Sequence, residues 1–261
     1  MVIRSQWRAW LFLAAAMGVI VFSACHHKAR AEAVHGHTST QIALAPFDAP
    51  ANLPPPVAAP FNLTHPALAE TSAQAVAAKW KNLQSVIAIE TRIMALCRQM
   101  PDACPPSTAN FLSIVDGARA ENGRARAGLI NRAVNLAIRF SRDSTQFGTT
   151  DVWQSPLMTF AFGSGDCEDY AIAKYVALRE AGMSTDDLNL VIVRDNRTGG
   201  DHAVTAARID GEWLILDNRM MLLLTDAQTS DFKPLIALGD EAPKPVPVRD
   251  AGLMGAQATF G

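Results

Sequence analysis

Three side chains between residues 167 and 217 are of the types that thiol chemistry needs: Cys167, His202 and Asp217. Cys167 follows Gly163-Ser164-Gly165-Asp166 and opens a stretch, Cys167 to Ala181, whose apolar residues Ala171, Ile172, Tyr175, Val176 and Leu178 recur at helical spacing before Gly182 ends it. That pattern predicts a helix with the thiol in its first turn. Free N–H groups and the positive end of the helix dipole favour a thiolate there. The same groups can stabilise a tetrahedral oxyanion. A cysteine on a helix is more commonly a small core residue, so its position alone does not make it a nucleophile.

A nucleophile needs a base, and the base needs an orienter. Asp210-Gly211 between two apolar runs is a strong signal for a two-residue hairpin turn. If residue 209 pairs with 212, then Val204 lies opposite Asp217. His202 is two residues further along the same face, a diagonal neighbour at ~7–8 Å between backbones. His202 is also the only histidine after residue 65; His26, His27, His35, His37 and His65 all precede it. The region beyond residue 75 therefore offers one candidate base, and that base faces one carboxylate.

Asp166, Glu168 and Asp169 place three carboxylates in four positions around the thiol. Two readings stand. They cap the helix and complement its dipole, each for up to ~1 kcal/mol. Alternatively they hold a hard cation, which removes the conflict between so much negative charge and a thiol that must ionise. Cys97 and Cys104 bracket Met100-Pro101-Asp102. They read either as two buried thiols or, in an oxidising compartment, as a disulfide that stabilises by roughly 2.5 kcal/mol.

The elements that must position these groups are helices first and strands after. Val76, Trp80, Leu83, Ile87 and Met94 keep helical spacing through Met100. Helices follow over Thr108–Asp116, Leu129–Phe140 and Cys167–Ala181, and strands over Leu188–Arg194, His202–Ile209, Trp213–Asn218 and Leu222–Leu224. That order predicts an α+β fold with an antiparallel sheet. Upstream, Arg4 and Arg8 precede a fifteen-residue apolar run, Trp10 to Ala24. It is short for a membrane span of ~20 residues and reads as a secretory signal. Phe22-Ser23-Ala24-Cys25 resembles a lipidation site, Ala29-Arg30-Ala31 an ordinary cleavage site, and an uncleaved anchor is the third outcome. The expected organisation is a signal or anchor over 1–25, a Pro- and Ala-rich spacer over 26–75, a catalytic domain over 76–242 and a tail over 243–261. The expected location is the periplasm, with membrane association only through the N-terminus. A net charge of −2 and a charged fraction of 18% lack the basic stripe that nucleic-acid binding requires.

Gly165-Asp166-Cys167-Glu168-Asp169-Tyr170-Ala171, Asp201-His202-Ala203-Val204 and Leu216-Asp217-Asn218 together resemble the bacterial transglutaminase-like cysteine proteinases. Asn131-Arg132-Ala133-Val134-Asn135 and Asp151-Val152-Trp153-Gln154-Ser155-Pro156 are similar to that family's upstream pattern. The resemblance implies a papain-like core and a Cys167–His202–Asp217 triad. It also implies calcium bound by Asp166 and Glu168, with Asp169, and peptide cleavage rather than crosslinking. In adhesin-releasing members the substrate is a large cell-surface adhesin cut near its N-terminus at a pair of alanines, and an inner-membrane cyclic-di-GMP receptor sequesters the protease. Transglutaminase or amidase action through the same acyl-enzyme, and a membrane-tethered module without activity, are the alternatives.

Overall fold

The computed structural model describes residues 58–240. The signal expected over 1–25, most of the spacer and the tail over 243–261 lie outside the described residues. Six α-helices and seven strands are described: α1 (Glu70–Gln99), α2 (Pro106–Arg119), α3 (Gly123–Ala137), β1 (Arg139–Phe140), α4 (Asp143–Gln146), α5 (Pro156–Phe162), β2 (Ser164–Gly165), α6 (Cys167–Glu180), β3 (Leu188–Asp195), β4 (Asp201–Ile209), β5 (Glu212–Leu216), β6 (Leu224–Thr225) and β7 (Phe232–Leu238). Five strands form an antiparallel sheet in the order β6-β5-β4-β3-β7, and β1 and β2 pair in parallel beside it. This is the α+β arrangement, helices before sheet, that the sequence leads one to expect. None of the described helices is long and apolar enough to cross a membrane.

Helix α6 is the centre of the fold. It packs on β3 and β4 and is surrounded by α2, α3 and α5. Every residue from Asp169 to Leu178 is buried. A helix enclosed on all sides has no polar face, which is why its sequence shows so little amphipathic contrast. The opposite side of the sheet carries a second apolar cluster, Val191, Val193, Val204, Ala206, Trp213 and Ile215, covered by Phe61, Phe232 and Ala237. Phe61 lies in a short 3-10 turn, Pro60–Asn62, and Ala67 N–H donates to the Leu235 carbonyl at 2.7 Å. The folded region thus reaches back into the stretch expected to be spacer, because the sheet's second face needs a cover.

Several elements differ from expectation: α4, α5, β2 and β7 lie where the sequence predicts no element, and the strand expected over Leu222–Leu224 is β6 at Leu224–Thr225. The helix expected to run through Phe140 stops at Ala137. Ile138 is extended, and Arg139 N–H donates to the Gly163 carbonyl at 3.0 Å, so the chain joins β2 instead. Strand β7 carries Pro234, which supplies no N–H donor; it lies at the sheet edge, where the ladder with β3 shifts register between Ile192 and Val193. Cys97 and Cys104 form a disulfide with Cα atoms 4.8 Å apart, closing the turn after α1.

Candidate active site

The β4–β5 hairpin has the register that its turn dictates. Asp210 and Gly211 both take positive φ, 53° and 84°, as a two-residue I′ turn requires. Ile209 pairs with Glu212 and Thr205 with Leu216. Asp217 follows the last paired residue of β5, on the side of the hairpin where His202 stands. His202 Nε2 lies 2.9 Å from Asp217 Oδ1, with both side chains buried. Burial pushes the Asp217 carboxyl up. The bond from His202, its charge and the Arg219 backbone N–H outweigh this and hold Asp217 down at about 2. With Nε2 turned to Asp217, Nδ1 is the ring nitrogen left for proton transfer.

Cys167 is the first residue of α6 and the free cysteine among the described residues. It lines one cleft of about 590 Å³ with His202, Asp166, Glu168, Phe140, Arg142, Asn218 and Arg219. All three residues singled out for thiol chemistry therefore converge. The thiol itself is not activated as its helix-start position suggests. Burial pushes the Cys167 pKa well above its ordinary range, and Glu168, whose Oε2 accepts the thiol hydrogen at 2.9 Å, pushes it further. The Ala203 backbone N–H works in the opposite direction without prevailing.

The carboxylates do not act as one block. Asp166 and Asp169 group with Asp143, with one oxygen from each within 4.8 Å of the others. Glu168 instead falls with Asp166 around the thiol. Asp169 is fully buried and heavily bonded: Oδ1 accepts from Gln154 N–H at 2.8 Å, and Oδ2 from Gln154 Nε2 at 2.6 Å and Asp166 N–H at 3.1 Å. Gly165 has no side chain because a Cβ there would land on the Asp169 carboxylate. Asp143 Oδ2 accepts from Val152 N–H at 2.5 Å, while its Oδ1 and Asp166 Oδ1 are buried with no hydrogen-bond partner. Burial raises the pKa of Asp166 to about 8, and its neighbours Glu168, Asp169 and Asp143 add to the effect. Burial likewise raises Asp169 to about 7, against the hydrogen bonds that stabilise its anion.

Several supporting residues escape a reading of the sequence alone. Glu90, buried on α1, accepts from Ser155 Oγ and from Leu157 N–H at 3.1 Å, fixing the start of α5. Ser155 follows Gln154, so Glu90 supports the residue that grips Asp169. Arg219 donates to Asp195 at 2.8 Å and lies 3.4 Å from Asp217 Oδ2, holding the far side of the Asp217 carboxylate. Lys174, two turns along α6 from Cys167, is fully buried with Nζ unpaired, and burial lowers its pKa to about 7 against the pull of Asp217.

A thiol at the start of a buried helix, packed against an antiparallel sheet that supplies a histidine–aspartate pair, defines a papain-like cysteine protease of the transglutaminase-like type. The sequence profile of the bacterial transglutaminase-like cysteine proteinases matches residues 74–233, and the chain belongs to that family. Among solved structures, Legionella pneumophila LapG is similar at 23% identity and a TM-score of 0.49, over 58% of this chain and 84% of that one. Its calcium-bound form gives the same values. The EGTA-treated form gives 23% identity and a TM-score of 0.48, over 57% and 80% of the two chains. No curated protein sequence matches the chain.

Proposed function

We propose that the protein is an exported endopeptidase in which Cys167 is the nucleophile, His202 the general base and Asp217 the orienting residue. The observation that carries this reading is the buried His202–Asp217 pair, 2.9 Å apart, opening on the cleft that contains the free thiol. His202 Nδ1 takes the thiol proton as sulfur attacks the peptide carbonyl carbon. N–H groups at the start of α6 are available to the oxyanion. Collapse expels the amine, which takes the proton from His202, and leaves a thioester. Water then gives a proton to His202, attacks the thioester and releases the carboxylate and the thiol. Asp217, held down at about 2, stays ionised throughout and stabilises the imidazolium.

Asp143, Asp166 and Asp169 fit a hard divalent cation. They offer oxygen donors only, and two of those oxygens are buried without a hydrogen-bond partner. Calcium there would supply positive charge beside Cys167, offsetting the carboxylates that keep the thiol protonated. Glu168 is close enough to the thiol to contribute from its side of Asp166. Calcium is bound in one of the LapG structures, but the case here rests on the carboxylates of this chain. By resemblance, we take the substrate to be a large surface adhesin cut near its N-terminus at paired alanines, in the periplasm, under an inner-membrane cyclic-di-GMP receptor. The decisive experiment incubates the purified protein with an adhesin N-terminal fragment and sequences the new N-terminus. Cleavage between the alanines that disappears in Cys167→Ala and in EGTA supports the reading. Cleavage that survives Cys167→Ala overturns it.

A further inference from the structure

Helix α1 carries two apolar seams. Trp80, Leu83, Ile87, Met94 and Cys97, together with Glu90, face the domain and are buried. Val86, Ile89, Ile93 and Leu96, with Met100 just past the helix end at Gln99, form the second seam, and they are 44%, 58%, 39%, 51% and 54% exposed. Their spacing alternates three and four, the repeat of a coiled-coil contact. Ala88 and Ala95 lie exposed beside the seam. From Ser85 to Met100 the one exposed charge is Arg92, since Glu90 is buried and Arg98 is bonded to Asp116. Isolated exposed apolar residues are ordinary on a protein surface, but a continuous line of five marks a contact.

We propose that this seam is the two-fold contact of a homodimer, with α1 lying parallel to α1 of a second copy. Three features favour a second copy over other occupants. In a parallel pair each layer meets its own counterpart, so any charge in the seam would be repelled, and this seam contains none. Val86 and Ile93 at one repeat position, with Leu96 at the other, follow the β-branched and Leu preference of parallel two-stranded coils, and Ile89 is the one departure. The seam spans about 21 Å of helix. Covering it on both copies removes on the order of 1,000–1,200 Å² from water, the lower end of specific interfaces. The Cys97–Cys104 disulfide and the Glu90 contacts to Ser155 and Leu157 hold α1 in place, so little ordering is left to oppose association. A parallel pair also brings both copies of the chain before Glu70 to the same end, as two spacers leading to one membrane require.

Sedimentation velocity of the purified protein tests this over about 1–100 μM. A dimer of micromolar affinity is expected, weakened at least about 100-fold by Ile89→Glu with Ile93→Glu, because two carboxylates from each copy would be buried without partners. Circular dichroism and peptidase activity of the double variant should match the wild type, since neither residue touches the cleft. In a separate Val86→Cys variant, mild oxidation should link position 86 to its counterpart, which an antiparallel pair would place opposite Met100. A wild type that stays monomeric across the range overturns the proposal. So does a dimer indifferent to the glutamates, a Val86→Cys dimer that does not crosslink, or a monomer whose seam instead binds anionic lipid vesicles.

Discussion

The acidic group beside Cys167 should give the protein a stability that falls as pH rises through neutrality when no divalent cation is present. Asp166 moves from an ordinary 3.8 to about 8 and Asp169 to about 7. Between roughly pH 4 and 8 the folded state therefore holds protons that the unfolded chain has released. The stability this gives is complete below about pH 4 and is lost as pH climbs through the folded values. One carboxyl moved that far would be worth about 6 kcal/mol if fully buried. Asp166 is only half-buried and shares its proton with its neighbours, so solvent screening reduces the loss between pH 5 and 7 to about 2 kcal/mol. For a domain of this size that corresponds to about 4–8 °C in Tm. Asp217 contributes its stability above about pH 4 and loses it only below that, outside the window. Lys174 acts in the opposite sense, but only above about pH 7. The assay is a thermal melt from pH 5 to 7 in EGTA, in calcium, and for Asp166→Asn in both. Tm should fall with pH in EGTA, hold level and higher in calcium, and in Asp166→Asn fall less steeply with pH, through Asp169 alone, and gain little from calcium. A flat or rising Tm in EGTA, or an unchanged slope in Asp166→Asn, would refute the reasoning.

Glu168→Gln should remove the anion that holds the Cys167 proton, and the alkylation rate of Cys167 by iodoacetamide at pH 7 should rise about tenfold or more in EGTA. Asp217→Asn should cut kcat by about 10³–10⁴ while leaving the fold intact, and His202→Ala should lose about as much as Cys167→Ala, because the members of a triad act as a unit; a fully active Asp217→Asn would detach the carboxylate from catalysis. Lys174→Met replaces a buried ammonium by an apolar side chain of similar length. Denaturant melts should show a gain of about 2–4 kcal/mol at pH 7 and the loss of the rise in stability between pH 7 and 10 that the buried lysine imposes.

How much of the site the sequence reveals depends on sequence separation. His202 and Asp217 are fifteen residues apart across a turn whose chemistry fixes the register, so simple counting places them face to face. The helix start at Cys167 is marked by the Gly-rich segment before it and by Gly182 after it. Asp143 and Glu90 leave no such trace. Asp143 reaches Asp166 only because β1 pairs with β2, and two-residue strands carry no periodicity to read. Glu90 meets Ser155 across 65 residues, and on a helical wheel it occupies the apolar side, where an isolated acid offers no hint of its partner. The carboxylate block was legible as a cluster but not in its division, because adjacent residues on a first helical turn point in different directions: Asp169 inward to Gln154, Glu168 to the thiol.

The I′ turn at Asp210-Gly211 also limits how this part of the gene can change. Loops usually absorb insertions and deletions with little consequence. Here a single added residue would shift the pairing by one position, and since strand side chains alternate, it would send either His202 or Asp217 to the opposite face of the sheet, where Ala203 and Thr205 now pack against α6. The shortest loop in the sheet is thus a ruler for the His202–Asp217 pair. Length variation in related chains should gather between Asp195 and Asp201 or between Asp217 and Leu224, and leave the two residues of the turn uninterrupted.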